Sequence, residues 1–167
     1  MKNIRNSVFE TNSSSTHSIS ICSGCDTYDT LVPDDDGNII LTGGQFGWEW
    51  ETYTDPQTKA NYAAIYCSDS DGCIPELKSR ASKYKEMLID VIKKHTGAKD
   101  VVFDFSTTDY DHEHYSYIDH QSAIYEGGRC DLAFKDEETL KNFLFNPASE
   151  LKTGNDNEEY PYYGDYG

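Results

Sequence analysis

One stretch, residues 67–97, has the clearest helical period in the chain and does most to limit the fold. Its apolar side chains recur at spacings of three and four residues and so form one stripe along a helix. The stripe consists of Leu77, Ala81, Tyr84, Leu88, Val91 and Ile92. Pro75 suits the first helical turn, where its missing N–H is not needed, and Gly97 follows a basic last turn. The pattern predicts a helix over about residues 74–96 that packs across a sheet.

Shorter elements are predicted on both sides of this helix. Residues 18–21 and 101–105 alternate in a way that is typical of strands, and residues 123–125 are predicted to pair with residues 132–134. One short helix is predicted after Asp55 and another after Asp136, because aspartate is a good helix N-cap. The fold class is therefore predicted to be α+β, a mostly antiparallel sheet with one long helix and one or two shorter helices.

The length of 167 residues favours a single domain. We assign residues 1–153 to that α+β domain and residues 154–167 to an acidic, tyrosine-rich tail. There is no apolar run of about 18 residues, and the first residues are not followed by the apolar core of a signal peptide. These features predict a cytoplasmic protein that makes no membrane contact.

The charge balance limits the partners. Thirty acidic residues oppose 14 basic ones, which gives a formal charge of −16. Direct binding of nucleic acid is disfavoured because phosphates would meet carboxylates. A basic protein surface is the favoured partner.

Five cysteines in a reducing compartment point to metal binding or to free thiols rather than to disulfides. Cys22 and Cys25 form a Cys-x-x-Cys knuckle, while Cys67 and Cys73 bracket a tight turn at the start of the long helix. Four such thiolates would give a tetrahedral structural zinc site. The second pair is spaced more widely than usual, so free buried thiols are the alternative. His17 or Cys130 could replace one ligand.

A second metal site is suggested by residues 109–120. If this segment is extended, His112, His114 and His120 point to one side of it. A metal held there with an open coordination position would suit a hydrolase acting on a nucleotide or a nucleic-acid-derived substrate. The alternative is a solvated polar strand face.

The opening of the chain, RNSVFETNSSSTHS over residues 5–18, resembles the start of small proteins of phages and mobile elements in low-GC Gram-positive bacteria. With its small size, its acidity and a structural zinc, the chain is similar in character to anti-CRISPR inhibitors of the type II RNA-guided nuclease. The resemblance implies a non-enzymatic, phage-encoded protein of the host bacterial cytoplasm. Such a protein would bind the effector nuclease and block DNA loading in the manner of a DNA mimic.

Three groups of carboxylates are the predicted contacts with that partner; the alternative is that they serve only solubility. The groups are Asp34, Asp35 and Asp36; Asp109, Asp111 and Glu113; and Asp156, Glu158 and Glu159. An inhibitor acts near one copy per target, whereas an enzyme acts at trace amounts.

Overall fold

A computed structural model describes residues 3–7, 15–47, 51–68, 75–105, 116–118 and 130–155. The described residues form an α+β fold. The strands are β1 (Asn3–Ser7), β2 (Ser15–Cys22), β3 (Asn38–Leu41), β4 (Gln45–Phe46), β5 (Glu51–Tyr53), β6 (Asp100–Phe103), β7 (Tyr117–Ile118) and β8 (Glu150–Asn155). The helices are α1 (Pro56–Ser68), α2 (Pro75–Thr96), α3 (Cys130–Ala133) and α4 (Glu137–Phe145).

The largest sheet is antiparallel, as the alternation of residues 18–21 predicted. Its four strands lie in the order β1-β2-β8-β5. Leu151 in β8 sits between Ile19 and Tyr53, and both Ile19 and Leu151 are buried. Two small parallel pairs, β3 with β6 and β4 with β7, complete the strands that the structure describes.

Helix α1, not α2, is the buried helix of the described fold. Every residue from Lys59 to Cys67 is buried, which a helix can be only when other elements cover all its faces. It contacts α2, α4, β3 and β7. Helix α2 is amphipathic and buries Leu88, Val91 and Ile92. The elements that it contacts most are α1, α4 and β6, so the buried side of its described part lies mainly against helices and one parallel strand.

Helix α4 has the predicted cap, but its neighbour α3 replaces a predicted strand. Asp136 accepts a hydrogen bond from the Thr139 N–H at 2.7 Å. The predicted strand over residues 132–134 is wrong, because Leu132 and Ala133 belong to α3. The Phe134 ring stacks on Tyr84 with centroids 4.6 Å apart, so contacts with α2 rather than a hairpin position this segment.

The predicted tail boundary falls inside a strand. β8 continues through Gly154 and Asn155, which pair with Thr16 and Ser15 of β2. Residues 156–167 lie outside the described part of the chain. Across the described ranges, no helix has both the length and the apolar character needed to cross a bilayer.

The turn before β4 depends on a glycine. Gly43 has a φ of +71°, and a Cβ at this position would clash with the Ser116 side chain and would come within 2.8 Å of the Phe105 ring. The next residue, Gly44, donates its N–H to Ser116 Oγ at 3.1 Å. Close approach of the Ser116 and Phe105 side chains to this backbone therefore requires glycine at position 43.

We predict that Gly43→Ala lowers the free energy of unfolding by about 2–4 kcal/mol, since it adds overpacking to the cost of a positive φ. Gly97→Ala is the matched control. Gly97 has a φ of +73° but nothing within 4 Å of the added Cβ, so about 1 kcal/mol is expected. Denaturant unfolding measures both values. Equal losses would show that Ser116 and Phe105 do not pack on the turn.

Candidate functional site

The cysteines predicted to bind zinc lie in separate parts of the described fold. Cys22 ends β2 and is buried, and its thiol donates to the Ala148 carbonyl at 3.3 Å. Cys67 lies in the last turn of α1, where burial raises the pKa of its thiol. Cys25 is half-buried, and Cys73 lies outside the described residues.

Cys22 belongs to a buried polar cluster. The cluster consists of the Cys22 backbone, Lys59, Asn146 and Ser149. The Lys59 side chain is fully buried, and its Nζ donates to the carbonyls of Asn146 at 3.2 Å and Ser149 at 3.1 Å. Asn146 Nδ2 donates to the Cys22 carbonyl at 2.8 Å, and the Cys22 N–H donates to Ser149 Oγ at 2.9 Å. The polar cluster thus joins α1, β2 and the turn between α4 and β8.

The polar cluster, to which Cys22 belongs, and the Cys67 thiol lie near opposite ends of α1. Lys59 lies in the first turns of α1 and Cys67 in the last turn, eight residues or about 12 Å further along the axis. Among the described residues, no three His, Cys, Asp or Glu side chains are grouped closely enough to hold a metal ion. Zinc binding stays a prediction, because Cys73 and the side chains of His17 and Cys130 are not described.

We predict about one zinc per chain in protein purified without chelator, and a lower melting temperature after chelation. The double variant Cys25→Ser/Cys73→Ser should lose the metal, which elemental analysis would show. Cys67→Ala is the informative control, since retention of zinc in this variant would remove Cys67 from the ligand set. A metal-free wild-type protein would contradict the prediction.

Protonation of Lys59 makes the stability of the folded protein depend on pH. Burial lowers the pKa of its ammonium to about 8, against the attraction of Asp29, Asp55 and Cys22. The folded protein therefore releases the Lys59 proton between about pH 8 and its ordinary pKa of 10.5, whereas the unfolded chain still holds it. The contribution of Lys59 to stability is smallest below pH 8 and rises with pH through this window.

We predict that the stability difference between wild type and Lys59→Met grows in favour of wild type from pH 8 to 10.5, by up to roughly 3 kcal/mol. All other titrating groups are shared by the two proteins, so their contributions cancel. Urea unfolding at several pH values measures the difference. Lys83→Met, at an exposed lysine, should show no such trend. A constant difference for Lys59→Met would mean that burial does not shift this pKa.

Most of the other predicted site residues lie outside the described part of the chain. This holds for His112, His114 and His120, for Asp109, Asp111 and Glu113, and for Asp156, Glu158 and Glu159. Their roles stay predictions.

The acidic turn, which we define as residues 34–37, is described in full. Asp34 Oδ1 accepts hydrogen bonds from the Asp36 N–H at 3.0 Å and the Asn38 N–H at 2.8 Å. The Asp34 N–H donates to the Asn38 carbonyl at 2.8 Å, and the Gly37 N–H donates to the Asp34 carbonyl at 2.9 Å. All three aspartates are exposed, but the Asp34 carboxylate builds the turn, whereas Asp35 and Asp36 stand on the backbone that it fixes.

Sequence reasoning missed a cleft of about 190 Å³ between α2 and α4, lined by Val91, Lys94, His95, Glu137, Glu138 and Lys141. His95 stacks on Phe145 with centroids 4.0 Å apart, and its Nε2 donates to the Asp29 carbonyl at 2.8 Å. Lys94 holds Glu137 in an exposed ion pair at 2.8 Å. The cleft is smaller than the roughly 300–1,000 Å³ of small-molecule sites. Helical spacing could place Val91 and His95 on one face, but only the packing of α4 makes the cleft.

Comparison of the chain with protein-family models, curated proteins and solved structures gives no significant match.

Proposed function

We propose that this protein is a non-enzymatic inhibitor that acts in the bacterial cytoplasm on a type II RNA-guided nuclease. It binds a basic surface of the nuclease through its carboxylates and so blocks DNA loading. The observation that supports this proposal is the acidic turn, where Asp34 holds the backbone and leaves Asp35 and Asp36 exposed. The choice of target comes from the likeness in size, acidity and predicted zinc to anti-CRISPR inhibitors, together with the resemblance of residues 5–18 to phage and mobile-element proteins.

The acidic turn is preorganised for binding. Loops that must order on binding lose conformational entropy, whereas a turn already fixed by hydrogen bonds loses less. The formal charge of −16 adds long-range attraction toward a basic surface and speeds the encounter. The channel of an RNA-guided nuclease is positively charged because it holds a nucleic-acid duplex. Carboxylates bound there would compete directly with DNA phosphates.

Stoichiometry tests the class of function. We predict that DNA cleavage by the guide-loaded nuclease falls linearly with added protein and stops near one copy per nuclease. An enzyme acting on a nucleotide or nucleic-acid-derived substrate would instead act at trace amounts and would depend on His112 and His114. Loss of cleavage at far below equimolar protein would contradict the proposal.

The acidic turn is tested by charge removal that leaves its backbone intact. We predict that Asp35→Asn/Asp36→Asn weakens binding about tenfold or more at low salt, with less effect at high salt because ions screen exposed charges. Asp34 stays unchanged, since its carboxylate accepts two backbone hydrogen bonds. Calorimetric titration at two salt concentrations gives the affinities.

Glu86→Gln/Asp90→Asn is the matched control, because it removes two exposed charges from α2 instead. Equal weakening by both double variants would mean that net charge, and not the acidic turn, attracts the partner. Unchanged affinity for the Asp35/Asp36 variant would remove the turn from the interface.

A further inference from the structure

The outer face of the β3–β6 pair carries apolar side chains beside the acidic turn. Ile39, Leu41 and Val101 point into the core, so Ile40 and Val102, which are paired in register, share the outer face. Val102 is 36% exposed and Ile40 is half-buried. The strand pair therefore has an apolar outer face in a position where side chains of a sheet are usually polar.

The acidic turn is joined to the strand pair by backbone hydrogen bonds. The Lys99 N–H donates to the Gly37 carbonyl at 2.8 Å, and Asn38 pairs with Asp100 at the start of the two strands. Asp100 is exposed, as are Asp35 and Asp36. Carboxylates thus stand at one end of the apolar face, and the exposed Lys99 lies beside them.

A second exposed apolar residue lies just before the acidic turn. Val32 is 85% exposed and is followed by Pro33, which restricts the backbone leading into Asp34. In the chain, Val32 precedes the acidic turn and β3, which carries Ile40, follows it, so apolar residues flank the carboxylates on both sides in sequence. Protein interfaces have this composition, with an apolar centre inside a polar rim.

We infer that Ile40 and Val102 form the apolar centre of a protein-docking surface bordered at one end by Asp35, Asp36 and Asp100, that Val32 adds an apolar contact beyond these carboxylates, and that the occupant is a basic protein patch with a protruding apolar side chain. This inference rests on the proposed function and specifies the part of the partner that is recognised. The partner is a protein rather than a small cation, because a cation would gain nothing from the valines. Charge complementarity selects a basic partner, and removal of the valines from water adds affinity that salt does not screen.

The experiment measures binding to the guide-loaded type II nuclease at low and high salt. Val102→Thr keeps the branched shape and the strand propensity but adds a hydroxyl. It should weaken binding about tenfold at both salt concentrations, and Val32→Thr should act in the same direction. Leu132→Thr is the matched control, since Leu132 is 39% exposed on α3, a different element. It should leave the affinity unchanged. Melting temperatures confirm that each variant is folded.

The outcomes separate the two proposals. If Asp35→Asn/Asp36→Asn weakens binding and Val102→Thr does not, the apolar centre is wrong and the proposed function stands. A loss for Val102→Thr that disappears at high salt also contradicts the apolar centre. No binding by the unchanged protein at either salt concentration overturns both proposals.

Discussion

The described fold is organised around a lysine side chain that is buried in its interior. Moving a charged amine out of water is costly, and it is tolerated only where hydrogen-bond acceptors replace the solvent. The carbonyls of Asn146 and Ser149 supply those acceptors to Lys59. These two residues also bind the Cys22 backbone, so one buried charge fixes the relative positions of a helix, a central strand and the turn that starts β8. Loss of the Lys59 amine would remove the donor from both of these buried carbonyls.

Around this point the core is centred on α1, and aromatic contacts join α1 to its neighbours. Phe46 meets Tyr62 edge to face with centroids 5.2 Å apart, and the Tyr66 ring lies nearly parallel to the Tyr84 and Phe134 rings, with its centroid 6.1 Å from each. Tyr66 also donates its hydroxyl to Asp131. Aromatic rings bury large areas and orient their neighbours. Together these contacts explain why a helix of alanines and tyrosines with no amphipathic stripe is nevertheless the centre of the fold.

In the proposed interface, one aspartate has a structural role and its two neighbours are available to a partner. Asp34 gives its carboxylate to the backbone, whereas Asp35 and Asp36 face solvent on the frame that Asp34 makes. Next to them, the parallel pairing of β3 with β6 turns Val102 outward. Three adjacent aspartates look equivalent in the sequence, but the local hydrogen bonds give them different roles.

The sequence by itself determined the features that depend on near neighbours. Pro75 begins α2, and the side chains of Asp55 and Asp136 accept hydrogen bonds from the first turns of α1 and α4, because these signals act within three or four residues. The charge of −16 is likewise a property of composition. Only the tertiary structure decided which strands pair, that residues 132 and 133 are helical, and that Lys59 is buried. Each of these depends on partners distant in sequence, and long-range packing overrides local preference wherever an apolar run suits either a strand or a helix.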